Sequence, residues 1–168
     1  MLPNALAIRI CRVVVFAVLM LATACAPSGP LVKVETPVSA VQVNDTLTVP
    51  VKVEKIANLT AIEMHLSFDA TLLEVVKVNN GGLIKADFVV QNTFDNAAGT
   101  LDYAVAQIGG TPATGSGTLL EVVFRARASG STPIRFRAMQ AAPAGALFSD
   151  PNGAAIQVSL TDGTVTVK

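Results

Sequence analysis

Tryptophan is absent from this chain, tyrosine and histidine occur once each, and cysteine occurs twice, at positions 11 and 25. Each scarcity removes a class of function. Sugar-stacking platforms want exposed Trp or Tyr, yet Tyr103 shares the side of its segment with Leu101 and Val105, which is core parity. A single histidine, His65, cannot build a multi-histidine metal site, which needs several ligands converging at about 2 Å. No G-x-S-x-G segment supplies a serine nucleophile for it either. Charged residues are only 14% of the chain, with twelve of each sign, so there is no basic excess to attract nucleic acid. Helix-length 3.6-residue periodicity is missing after the first thirty residues.

What is present begins with a leader. Residues 1–24 carry Arg9 and Arg12, then the uncharged run VVVFAVLMLATA, then Cys25. A positive start followed by a short apolar run predicts a secretory signal, since a dozen residues are too few to span a bilayer. Leu21-Ala22-Thr23-Ala24-Cys25 resembles a bacterial lipobox, which implies that Cys25 is acylated and becomes the new N-terminus. Residues 25–30 then form a short linker, and the mature protein is expected outside the cytoplasm, lipid-anchored at the bacterial membrane or cell surface. Cys11 leaves with the signal, so the exported part has no free thiol for a disulfide, a metal site or nucleophilic catalysis. Ten basic residues remain against twelve acidic ones, a net charge of −2.

From residue 31 onward, alternating apolar segments are punctuated by Gly, Asn, Pro and Asp. Strands are predicted at 31–35, 38–43, 46–54, 60–68, 74–79, 86–94, 100–107, 118–128, 133–140, 154–160 and 164–168. So many short strands in one stretch predict an all-β antiparallel sandwich or barrel, a single domain over 31–168. Asp69-Ala70-Thr71-Leu72-Leu73 interrupts the pattern: Asp69 can cap one turn while a leucine plugs the end of the core.

Several segments, in order, resemble the cohesin family, the β-sandwich modules that hold dockerin modules in cellulosome-type assemblies. These are the turn and strand Asn44 to Val51, the strand and Asp turn Leu66 to Val75, the strands Gly117 to Ala128 and Ile134 to Ala138, and the closing strand Asp162 to Val167. The resemblance implies a nine-stranded jelly roll with first and last strands close together. It also implies a binding sheet from 60–68, 86–94, 100–107 and 133–140 whose outer side meets the partner. On that side it places Glu63, His65 and Ser67, with Asp102, Ala104, Ala106 and Gln107 on the next strand and Arg135 and Arg137 flanking Glu63 and His65. His65 itself reads as a solvated cross-strand partner of Glu63 or an arginine, or as a contact to a partner protein. Better-studied members carry larger aliphatic residues where this chain has Asp102, Ala104 and Ala106, so a flatter and more polar face is expected.

The resemblance implies a non-catalytic receptor without a cofactor or metal of its own, capturing a dockerin-bearing, polysaccharide-degrading enzyme, with calcium on the dockerin side. A module that binds polysaccharide directly is the alternative, because sugar-binding domains share this type of sandwich. Paired carboxylates such as Glu63 and Asp102 could suggest a glycosidase, but nothing in the sequence predicts the burial that would make one of them an acid. Outward Glu121, Val123, Arg125 and Arg127 read as a solvated strand face.

Overall fold

The computed structural model describes residues 29–168. The signal at 1–24, the lipobox Cys25 and the first part of the 25–30 linker lie outside the described residues. Eleven strands are formed among these: β1 (Leu31–Val34), β2 (Thr46–Leu59), β3 (Ala61–Ser67), β4 (Leu73–Asn80), β5 (Phe88–Asp95), β6 (Thr100–Ala106), β7 (Ala113–Ala126), β8 (Gly130–Phe136), β9 (Ala146–Ser149), β10 (Ser159–Thr161) and β11 (Gly163–Val167). The described residues include no helix.

The strands form two sheets, β10-β1-β2-β7-β4 and β11-β8-β3-β6-β5, with β9 added to β3. This is the expected all-β sandwich with the jelly-roll arrangement. The count rises above nine through short pieces, β9 and β10 having only four and three residues. The predicted strand at 38–43 reduces to a bridge between Val41 and Val167. The chain's beginning and end do meet, through that bridge and through the parallel pairing of β1 with β10.

Alternation drives the assembly. On the first sheet Val49, Val51 and Val53 of β2 and Leu120, Val122 and Phe124 of β7 point inward and are buried. On the second sheet Ile62, Met64 and Leu66 of β3 and Leu101, Tyr103 and Val105 of β6 meet them. Each such side chain contributes about 1.5–3 kcal/mol on burial, and Phe68 packs edge-on against Phe124 with ring centroids 5.2 Å apart. At Asp69 a tight turn replaces the strand. Its carboxylate accepts from the Thr71 amide and hydroxyl, which holds it below the usual carboxylate range, and Leu73 drops fully into the core.

One irregularity matters for the outer surface. Along one edge of β3 the neighbouring strand is split. β8 pairs with its end, through Leu66–Phe136 and Ser67–Arg135, and β9 pairs with its start, from Met64–Ala146 to Ala61–Ser149. The predicted strand 133–140 therefore stops at Phe136, the chain leaves as a loop, and it returns at Gly145. Glycine is required at that return: φ is +92° and a Cβ would come within 2.8 Å of the Arg137 nitrogen. The split falls beside His65, whose amide donates to Gly145 O and whose carbonyl accepts from the Arg137 amide.

Candidate functional site

The outer side of β3 and β6 is fixed by their register. Ala61 lies opposite Ala106, Glu63 opposite Ala104, His65 opposite Asp102 and Ser67 opposite Thr100. Directly paired residues share a face, so Glu63, His65, Ser67, Asp102, Ala104 and Ala106 are together on one wall, as expected. That wall has two halves.

The polar half centres on His65. Its Nδ1 lies 2.6 Å from Asp102 Oδ1 and its Nε2 lies 2.8 Å from Glu63 Oε1. Arg137 Nη2 donates to the same Asp102 oxygen, and Nη1 to the Met139 sulfur. The expectation of a solvated histidine is corrected here, because His65 is only 4% exposed. Two carboxylates and the Arg137 side chain close around the ring, so it faces outward without reaching open water. The expected pairing with Glu63 does form.

The other half is a groove of about 140 Å³, bounded by Ala61, Glu63, Ala104, Ala106, Val90 and Leu147. The alanines make a shallow floor, since side chains with one carbon let another molecule's backbone approach closely. Val90 is 65% exposed and Leu147 is 36% exposed, one from each side. The expectation of a flat polar face without apolar anchors is therefore corrected: the large aliphatic residues come from β5 and β9 instead of β6.

Neither was visible in the alternation pattern. Val90 is the extra residue of a β-bulge between Val89 and Gln91, which turns it onto the same side as Ala104 and Ala106. The three successive apolar residues Phe88-Val89-Val90 were the available signal, since a regular edge strand has no place for them. Leu147 belongs to β9, in a stretch with no strand predicted. Its companion Phe148, also outside every predicted strand, is fully buried beside Ile62.

Two further site residues stand elsewhere than expected. Gln107 follows the end of β6, where its side-chain amide donates to Gly109 O and Thr111 O and its oxygen accepts from the Lys85 amide. It builds its own loop and not the wall. Arg135 does not flank Glu63; it is paired with Ser67, is well exposed, and lies 4.0 Å from Asp162. Arg137 alone of the two arginines joins the His65 cluster. Ser67 and Arg135 line a separate open hollow with Asp69, Ser131 and Thr132, where the Thr132 hydroxyl is used internally, accepting from the Asp69 amide. Among the described residues no group of three His, Cys, Asp or Glu side chains is placed to hold a metal ion.

Comparison with known proteins places this geometry in context. Cellulose-binding protein A of Clostridium cellulovorans is 28% identical over 143 residues, 83% of this chain but only 8% of that protein's length. Among solved structures, a type II cohesin domain from the cellulosome of Acetivibrio cellulolyticus is similar with a TM-score of 0.73 at 18% identity, covering 82% of this chain and 95% of that one. The cohesin of a type II Cohesin-X-Dockerin complex from Acetivibrio cellulolyticus gives a TM-score of 0.71 at 18% identity, covering 83% and 99%. A family model for the Cohesin domain matches residues 32–167, nearly all the described chain, and the protein belongs to that family.

Proposed function

We propose that this domain is a non-catalytic receptor that captures a dockerin-bearing protein on the outer wall of the β8-β3-β6-β5 sheet. The observation that carries the proposal is the groove itself. A floor of Ala61, Ala104 and Ala106 between exposed Val90 and Leu147 suits a helix that lays a few apolar side chains into it. Family membership supports it, as do related cohesins solved in complex with dockerins. The captured protein would be a polysaccharide-degrading enzyme with calcium on its dockerin. Acylated Cys25 would hold the receptor to the membrane outside the cytoplasm, a few residues from β1.

Direct polysaccharide binding finds no support on this wall. Tyr103 is buried, and of the exposed rings Phe88 pairs with Ala106 on the outer side whereas Phe94 pairs with Leu101 on the inner side, so they form no common platform.

The test is capture from the organism's own secretome on immobilised residues 29–168, with and without calcium. Calcium-dependent retention of a protein with paired calcium-loop helices is the expected result. Retention of the domain on insoluble polysaccharide, with no dockerin recovered, would replace this reading. For the anchor, Cys25→Ser should move the full-length protein from the membrane fraction to the soluble one.

A further inference from the structure

Glu63 belongs to both halves of the wall. Its carboxylate borders the groove, and one of its oxygens lies against His65 Nε2. A carboxylate only accepts hydrogen bonds, and a neutral imidazole has a single N–H. With Asp102 at one ring nitrogen and Glu63 at the other, both contacts are hydrogen bonds only when the ring carries two protons. Among the described residues no other group donates to Glu63: the terminal nitrogens of Arg137 go to Met139 and Asp102, its buried Nε has no partner, and Arg135 is turned toward Asp162. β9 contributes Ala146 and Leu147, β5 places Thr93 opposite Asp102, and the backbone contacts of His65 go to Gly145 and Arg137.

The charge count follows. Glu63, Asp102, Arg137 and a doubly protonated His65 sum to zero; removing one proton leaves a single negative charge. Asp102 is the more enclosed carboxylate, 21% exposed at its side chain against 30% for Glu63, and has the shorter contact. Asp102 also accepts from Arg137, yet it is the more deeply placed carboxylate, and water replaces a lost bond more readily at Glu63; the remaining proton is therefore assigned to Nδ1, with Glu63 the one released.

We propose that a proton on His65 sets the charge of the groove. With both ring nitrogens protonated, Glu63 is paired and the cluster beside the groove is neutral overall. When Nε2 releases its proton to solvent, Glu63 becomes a free carboxylate at the groove edge. The released state favours a partner helix that carries Lys or Arg beside its apolar residues, and it disfavours an acidic one. That consequence for docking rests on the function proposed above; the charge switch does not.

A partner-free experiment tests the switch. The described residues contain both sheets and the whole core, and His65 is the chain's only histidine, so the ring signals of ¹⁵N-labelled residues 29–168 need no assignment. Ring ¹⁵N shifts recorded across a pH series should show two protonated ring nitrogens at its acidic end and one, on Nδ1, at its basic end. The Glu63 carboxyl resonance should move in the same step. A ring whose protonation never changes, whether neutral or doubly protonated throughout, an Nε2-protonated neutral form, or a Glu63 signal that ignores the transition would overturn it. If capture from the secretome succeeds and the ring proves static, the switch fails alone; if the switch is seen and no dockerin is captured, the docking reading fails alone.

Discussion

The outer faces of the two sheets solve the same problem differently. On the β10-β1-β2-β7-β4 sheet the outward side chains include charges that answer one another. Lys33 lies 3.1 Å from Glu35 and 3.0 Å from Glu54, Lys52 lies 2.7 Å from Glu35, and Arg125 lies 2.9 Å from Glu74. Hydrogen bonds that Lys33 donates to Glu54 and Glu35 raise its pKa, and bonds that Glu35 accepts from Lys52 and Lys33 lower its own. Such a face is content with water. On the other sheet Glu63, Asp102 and Arg137 are drawn into one cluster around His65, Arg135 and Asp162 stand apart, and the groove exposes alanine, valine and leucine. A monomer gains nothing from presenting that groove to solvent, so the contrast supports the binding surface proposed above more firmly than either face does alone.

Substitutions can break this contrast. Ala106→Arg, which puts a long charged side chain into the groove, should weaken capture of a dockerin by about 30-fold or more, the loss of a hot spot of ~2 kcal/mol. Calorimetric titration beside an unchanged melting temperature would check it. Asp102→Ala should act on folding instead, because it strips the partner from both His65 and Arg137; a loss of about 1–3 kcal/mol in denaturant unfolding is expected. Truncating the groove's sides, Val90→Ser or Leu147→Ser, should each weaken capture by about 5-fold, roughly 1 kcal/mol of lost apolar contact. Arg125→Ala, on the opposite sheet, should leave capture unaltered and change stability by no more than ~0.5 kcal/mol. A capture defect in Arg125→Ala comparable to that of Ala106→Arg would erase the distinction between the faces.

The smallest effect concerns the turn that joins β5 to β6. Asp95 Oδ1 accepts from the Ala98 and Ala97 amides, bonds that hold its pKa below the ordinary carboxylate value. A depressed folded-state pKa means stability that is full above the unfolded value and is lost as pH falls through the folded one. Wild-type stability should therefore decline below about pH 4 partly through this group, and Asp95→Ala should shallow that slope in acid-unfolding curves.

Which side each residue occupies was legible in the sequence; how deep it lies was not. Alternation assigned Glu63, His65 and Ser67 to the outer side of β3 and Tyr103 to the inner side, and the register confirms it. The same alternation made His65 solvated, because period-two logic is silent about what neighbouring strands lay over a side chain. The two largest groove residues escaped for related reasons. Val90 owes its direction to a bulge, and Leu147 owes its place to a strand that exists only because β3 had half an edge left to pair. The family resemblance put Gln107 on the wall with Ala106, whereas β6 ends at Ala106 and the Gln107 side chain bonds its own loop.

The split partner of β3 has a further consequence. β8 and β9 are each held to β3 by their own ladder, and the His65 backbone bonds both Arg137 and Gly145, so the interval 138–144 is a splice between two fixed ends. Its length can change without dragging either flank out of position, much as a spacer can be exchanged between two bolted joints. Arg137 stands at one joint and Leu147 just beyond the other, so a graft of different size there would redraw the border of the wall while leaving the sandwich beneath it undisturbed.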